Sequence, residues 1–170
     1  VLRLPAVYGP GDAQHRLAPH LQRMDDGRPA ILMDEGQADW RWTHGYVENV
    51  AAAIALAATD ARATGRIYND AEAETLTEAD RVRQLASGVG WEGDVVPVPA
   101  TELPEHLQAP GNWRYKLETD TQRLRNELGY EAPVEREEAL RRTVRWERAQ
   151  QTEALRPDYE AEDAALRKVL

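Results

Sequence analysis

The chain has no cysteine and no phenylalanine, a single serine (Ser87) and only two lysines (Lys116 and Lys168). Without cysteine there is no disulfide framework, no thiolate nucleophile and no cysteine-ligated zinc. One serine and two lysines leave few candidates for a serine nucleophile or a lysine base. Positive charge is also scarce. With 21 basic against 30 acidic side chains, the formal net charge is -9 over 170 residues. Such a field repels phosphate backbones and anionic lipid, and no local basic patch reverses it, so neither a nucleic acid nor a membrane surface is expected as partner. Long apolar runs are missing as well. The longest, Val50 to Ala58, is too short and too alanine-rich to span a bilayer. The opening residues lack the basic stretch of a signal peptide, and a soluble, cytoplasmic protein is expected. The length fits one domain or part of a larger one.

What is present reads as alternating strands and helices. Val1 to Val7 is an apolar run ended by Tyr8-Gly9-Pro10-Gly11-Asp12, a strand delivering a loop. Leu17, Leu21 and Met24 recur at helical spacing within Gln14 to Met24, and Gly27-Arg28-Pro29 stops that helix. A strand over Ala30 to Met33 leads into a polar and aromatic loop with Trp40, Arg41, Trp42 and His44. The alanine-rich stretch from Tyr46 to Thr59 predicts a closely packed helix. Arg66 to Asn69 reads as a brief strand. A helix capped by Thr75 or Thr77 runs to Gly88, and Asp94 to Val98 is another strand. Helices over Asp120 to Leu128 and beyond Pro133 close the compact part. Glu147 to Leu170, rich in alanine and charge, is expected to be a peripheral helix pair or partly ordered tail without a chemical role.

Five stretches, in order and at their spacing, resemble one family. Arg3-Leu4-Pro5-Ala6-Val7-Tyr8-Gly9-Pro10-Gly11-Asp12, Gly45-Tyr46-Val47-Glu48-Asn49-Val50-Ala51 and Arg66-Ile67-Tyr68-Asn69 come first. Asp120-Thr121 with Leu124 and Glu127-Leu128-Gly129-Tyr130 follow, and then Glu138, Leu140, Thr143 and Trp146. Together they look like the back half of the NAD-dependent epimerase/dehydratases, the extended short-chain dehydrogenase/reductases. The resemblance implies an α/β fold: the carboxy-terminal part of a Rossmann-type extended fold, with a late sheet strand plus a small α/β substrate-binding domain over residues 1–146, followed by a charged tail over 147–170.

It also implies NAD or NADP in the full-length form, held by a glycine-rich turn after the family's first strand, and a Tyr-x-x-x-Lys pair for proton transfer. That turn is expected to be absent from this chain. Neither lysine completes the pair, because Asn112 stands four residues before Lys116 and Ala164 four before Lys168. The chain opens on Val1-Leu2-Arg3-Leu4 without a methionine, as though inside a strand, and an amino-terminal half is expected to have been cut away. The chain alone is therefore expected to bind no cofactor and to carry no catalytic residue. It is expected to form one wall of a site for a sugar-like or other carbonyl or hydroxyl substrate. Self-association or pairing with the missing half follows, because an unpaired parallel strand leaves an apolar edge. A non-catalytic binding or dimerisation module derived from the family is the rival reading.

The resemblance runs Leu4, Pro5, Ala6 and Val7 past the nicotinamide, against the plainer reading of a buried strand end. Tyr8, His15 and Arg16 would border the substrate. Arg41 and Trp42 stand near the position where nucleotide-sugar enzymes of the family place a diphosphate-clamping arginine; here that position falls near Trp42. Arg28 is a second anion contact to weigh against a solvated helix-end arginine. No metal site is expected: His15 and His20 miss the i, i+4 spacing that puts two imidazoles on one helix face. The acids Glu135, Glu137 and Glu138 ahead of Arg141, Arg142 and Arg145 suit a helix dipole and i, i+4 pairing.

Overall fold

Pro5 divides the opening apolar run. Lacking an N–H, it cannot extend a ladder, and the one strand expected over residues 1–7 is two short ones, β1 (Leu2–Arg3) and β2 (Ala6–Tyr8). The computed structural model describes residues 1–150 and 157–169. In chain order there follow α1 (Ala18–Asp25), β3 (Ala30–Asp34), α2 (Glu35–Asp39), β4 (His44–Tyr46), α3 (Val47–Thr59), β5 (Tyr68–Asn69), α4 (Glu78–Val89), β6 (Asp94–Val98), α5 (Gln122–Leu128), α6 (Arg136–Ala149) and α7 (Tyr159–Val169). Residues 151–156 and 170, within the expected tail, lie outside the described residues.

These elements sort into two interleaved units. The first holds Val1–Arg16, Trp42–Leu76 and Leu117–Ala149, and the second Leu17–Arg41, Thr77–Lys116 and Gln150–Leu170. In the first, β1 runs parallel to β5 and β2 parallel to β4, with Ala6 opposite His44 and Tyr8 opposite Tyr46. Gly45 makes this pairing possible, since a β-carbon there would lie 2.7 Å from Pro5 Cγ and 2.8 Å from Val50 Cγ2. Ala53, Tyr68, Leu124, Leu128 and Tyr130 form one core cluster, and Tyr8, Tyr46, Val134 and Ala139 a second. Each large side chain so buried contributes about 1.5–3 kcal/mol.

Two tyrosine-to-arginine chains tie α6 to the strands. Tyr8 Oη donates to Glu72 at 2.7 Å, and Arg136 pairs with Glu72 at 3.2 Å. Tyr46 Oη donates to Glu48 at 2.9 Å, and Arg142 bonds Glu48 at 2.9 Å and Glu138 at 2.7 Å. The i, i+4 pairing read from the sequence is thus present at Glu138 and Arg142.

In the second unit β3 and β6 pair in parallel over five residues, Ala30 opposite Asp94 through Asp34 opposite Val98. Thr77 caps α4 through its side chain, which accepts from Asp80 N at 3.0 Å. The helix α7 packs Ala165 and Leu166 on Leu32, Val98, Leu103 and Leu107. Its buried Glu162 takes Arg23 Nη2 at 2.5 Å, Arg23 Nε at 3.1 Å and His106 Nε2 at 2.9 Å. This part of the expected tail is an ordered helix with a buried ion pair.

Candidate functional site

In the first unit, the backbone of Ala6 to Arg16 is built by short-range bonds. Ala6 N donates to Thr43 O at 3.1 Å, and Asp12 N and His15 N close turns onto Gly9 O and Asp12 O, both at 3.0 Å. Asp12 is the hub. Its carboxylate accepts from Gln14 N at 3.0 Å, Arg16 N at 3.3 Å and Arg16 Nη1 at 2.6 Å, and Arg16 Nη1 also reaches Val7 O at 2.8 Å. Arg16 thereby locks the loop to its own strand. The helix expected from Gln14 starts only at Ala18, because residues 12–16 turn on Asp12 and His15 takes a φ of +46°.

His15 faces α6. Its ring stacks on Trp146 with centroids 5.3 Å apart and an interplanar angle of 4°, and its Nδ1 lies 2.8 Å from Glu147 Oε2. Glu147 continues the buried i, i+4 line of Ala139 and Thr143 along α6. Charged residues rarely occupy such a line, and that register was the available signal for Glu147, which the sequence reading put in a tail without chemistry.

The remaining candidates divide between the units. Leu4 is half-exposed, Pro5 and Val7 are partly buried and Ala6 and Tyr8 are buried. Trp42, in the first unit, bridges to Leu117 and meets the His44 ring edge-on at 5.1 Å. His44 Nδ1 is 2.7 Å from Trp42 O. Arg28 and Arg41 belong to the second unit. Arg28 pairs with Asp163 and lies 4.5 Å over the Tyr159 ring, and Arg41 bridges to Thr77. His20 is also in the second unit, where burial, then Arg23 and Arg81, push its pKa down to about 4 and keep it neutral. Among the described residues no group of three His, Asp or Glu is placed to hold a metal ion, and no helix is long and apolar enough to cross a membrane.

Two further features escaped the sequence reading. Asp70, directly after β5, is buried with Oδ2 unpartnered, and burial raises its pKa to about 6 against the pull of Arg125. Gly88-Val89-Gly90-Trp91-Glu92-Gly93 has the literal spacing of a dinucleotide fingerprint. Its context is reversed: Gly90, at φ +72°, ends α4, and the segment leads into β6. A helix C-terminus presents carbonyl oxygens, and a pyrophosphate needs the amides of an N-terminus. This segment therefore does not form a phosphate-binding turn for a dinucleotide.

Residues 1–70 match the family model described as the NAD dependent epimerase/dehydratase family. Over those residues the chain is similar to that family. It is 31% identical over 151 residues to a dTDP-glucose 4,6-dehydratase of Streptomyces niveus, a match covering 87% of this chain and 41% of that protein. Among solved structures it is similar to the Thermus thermophilus UDP-glucose 4-epimerase in complex with NAD, at 27% identity and TM-score 0.60 over 87% of this chain and 46% of the other. It is also similar to the Thermotoga maritima UDP-glucose 4-epimerase with UDP-glucose, at 23% identity and TM-score 0.62 over 87% and 45%. The chain spans under half the length of the relatives it matches, and its fold is that of part of a Rossmann-type extended enzyme.

Proposed function

We propose that this chain is the substrate-side portion of an NAD(P)-dependent epimerase/dehydratase-like oxidoreductase acting on a sugar nucleotide or a related carbonyl or hydroxyl compound. The observation that carries the reading is the parallel β2–β4 pair: it lies within the family-matching residues and delivers the Asp12-centred loop with Tyr8 and His15. The relatives' substrates, UDP-glucose and dTDP-glucose, set the chemical class. When bound, the nicotinamide would supply the hydride acceptor. What this chain offers it is an apolar wall, Leu4 and Pro5 beside the buried Ala6.

Heteronuclear NMR of the labelled chain titrated with UDP-glucose, dTDP-glucose and NAD tests this. Saturable shifts confined to residues 6–16 and 42–46 with a sugar nucleotide, without reduction of NAD, support the reading. Indifference to both sugar nucleotides overturns it.

A further inference from the structure

His15 is the one non-glycine residue with a positive φ among the described residues. A left-handed backbone at such a residue costs free energy and persists where the surroundings enforce it. Here the enforcement comes from Asp12, whose main-chain and side-chain oxygens bind His15 N and the amides on either side of it. The result aims the imidazole at α6, where Trp146 fixes its plane and Glu147 takes Nδ1. The Glu147 side chain is 3% exposed against 31% for His15. Its Oε1 is buried without a hydrogen-bond partner. A buried carboxylate with half its acceptors unused is an incomplete arrangement for an ion pair that serves stability alone, and such groups call for an explanation.

We propose that His15 and Glu147 form a carboxylate–imidazole dyad in which His15 Nε2 accepts the hydrogen bond of a hydroxyl on the sugar-like substrate, Glu147 being the positioning residue. The inference rests on the substrate-side reading above and names the group that is recognised. With the Nδ1 proton given to Glu147, the neutral ring carries its lone pair on Nε2, the nitrogen on the other side of the ring. A hydroxyl complements that lone pair. A phosphate does not: it needs a donor, it would meet the Glu147 and Asp12 carboxylates, and the Arg16 guanidinium is engaged with Asp12 and Val7 O.

Long-range proton–nitrogen NMR of the four histidines tests the dyad, with His15 assigned by the H15N variant, whose asparagine tolerates the left-handed backbone. In alkaline buffer His15 is expected with its proton on Nδ1, and Glu147→Gln is expected to abolish that preference. UDP-glucose should shift the His15 Nε2 resonance and UDP should not. Both E147Q and H15N should weaken UDP-glucose about three- to tenfold while leaving UDP unchanged. A wild-type His15 protonated on Nε2 overturns the dyad whatever binds. A chain that binds UDP and UDP-glucose equally, with His15 silent, overturns the hydroxyl contact and spares the proposed function. A chain that binds neither overturns the proposed function and the ligand class together.

Discussion

Gly45 and Pro5 touch so closely that a single added β-carbon at Gly45 would come within 2.7 Å of the proline ring. On the same added atom's other side stands Val50 Cγ2 at 2.8 Å. Neither neighbour is a flexible chain end, so relief requires moving β2 from β4 or shifting α3. Gly45→Ala is expected to destabilise the chain by about 1–3 kcal/mol, the usual cost of overpacking. A denaturant titration checks it, with the midpoint falling and the slope unchanged.

Asp70 gives the fold a pH dependence of definite sign. Its pKa is raised from 3.8 to about 6, chiefly by burial, so the native state holds its proton more tightly than the unfolded chain does. That contribution is fully present below about pH 4 and is lost as pH rises through about 6. At neutral pH the ionised carboxylate is a liability of roughly 1–3 kcal/mol. Asp70→Asn is expected to stabilise the chain at pH 7 and to bring no gain at pH 4. Melting both proteins across that range isolates the effect, because the other carboxylates cancel in the difference. An equal effect at both pH values would exclude this titration.

Arg23 and Glu162 join α1 to α7 through two hydrogen bonds, both partners being buried. Removing one partner strands a charge in the interior, and either Arg23→Met or Glu162→Gln is expected to cost about 3–5 kcal/mol. The double variant should recover much of that loss, as the stranded charge is then gone. Chemical denaturation of the four proteins closes the cycle. Strict additivity of the single losses would show that the pair is not coupled.

Legibility in the sequence followed the range of the interactions involved. Asp94 to Val98 and the Thr77 cap are local signals, a β-branched run and a hydroxyl before a helical stretch, and the structure has both. The continuous apolar content of the opening run predicts a single strand; Pro5, which removes one ladder donor, divides it. The loop from Asp34 holds a short helix because the Asp34 side chain accepts from Gln37 N and caps it. The partners of the candidate site were harder. His15 and Glu147 are 132 residues apart, and Arg28 finds Asp163 across 135; no local pattern announces such pairs. What a sequence can show is a charged residue in a buried helical register, and Glu147, spaced by fours from Ala139 and Thr143, carried that mark. The glycine spacing at 88–93 shows the converse, since only the polarity of the flanking helix reveals that the motif points the wrong way.

The edge of β1 makes the last prediction. Among the described residues β1 pairs with β5 alone, and Val1 and Leu4 are 80% and 50% exposed, with Ile67 beside them in sequence to β5 at 45%. A parallel strand normally has neighbours on both sides and apolar cover on both faces. An apolar strand edge left open offers unpaired backbone groups and a hydrophobic surface in the same place, which favours pairing with another chain. The chain is therefore expected to self-associate at micromolar concentration. Leu4→Lys puts a charge on the edge at a position that is already half in solvent, so it should leave the melting temperature nearly unchanged while shifting the light-scattering mass toward the monomer. If the wild-type chain scatters as a monomer across that range, the open edge is not an association surface. If Leu4→Lys unfolds the chain, Leu4 is more deeply packed than its exposure indicates.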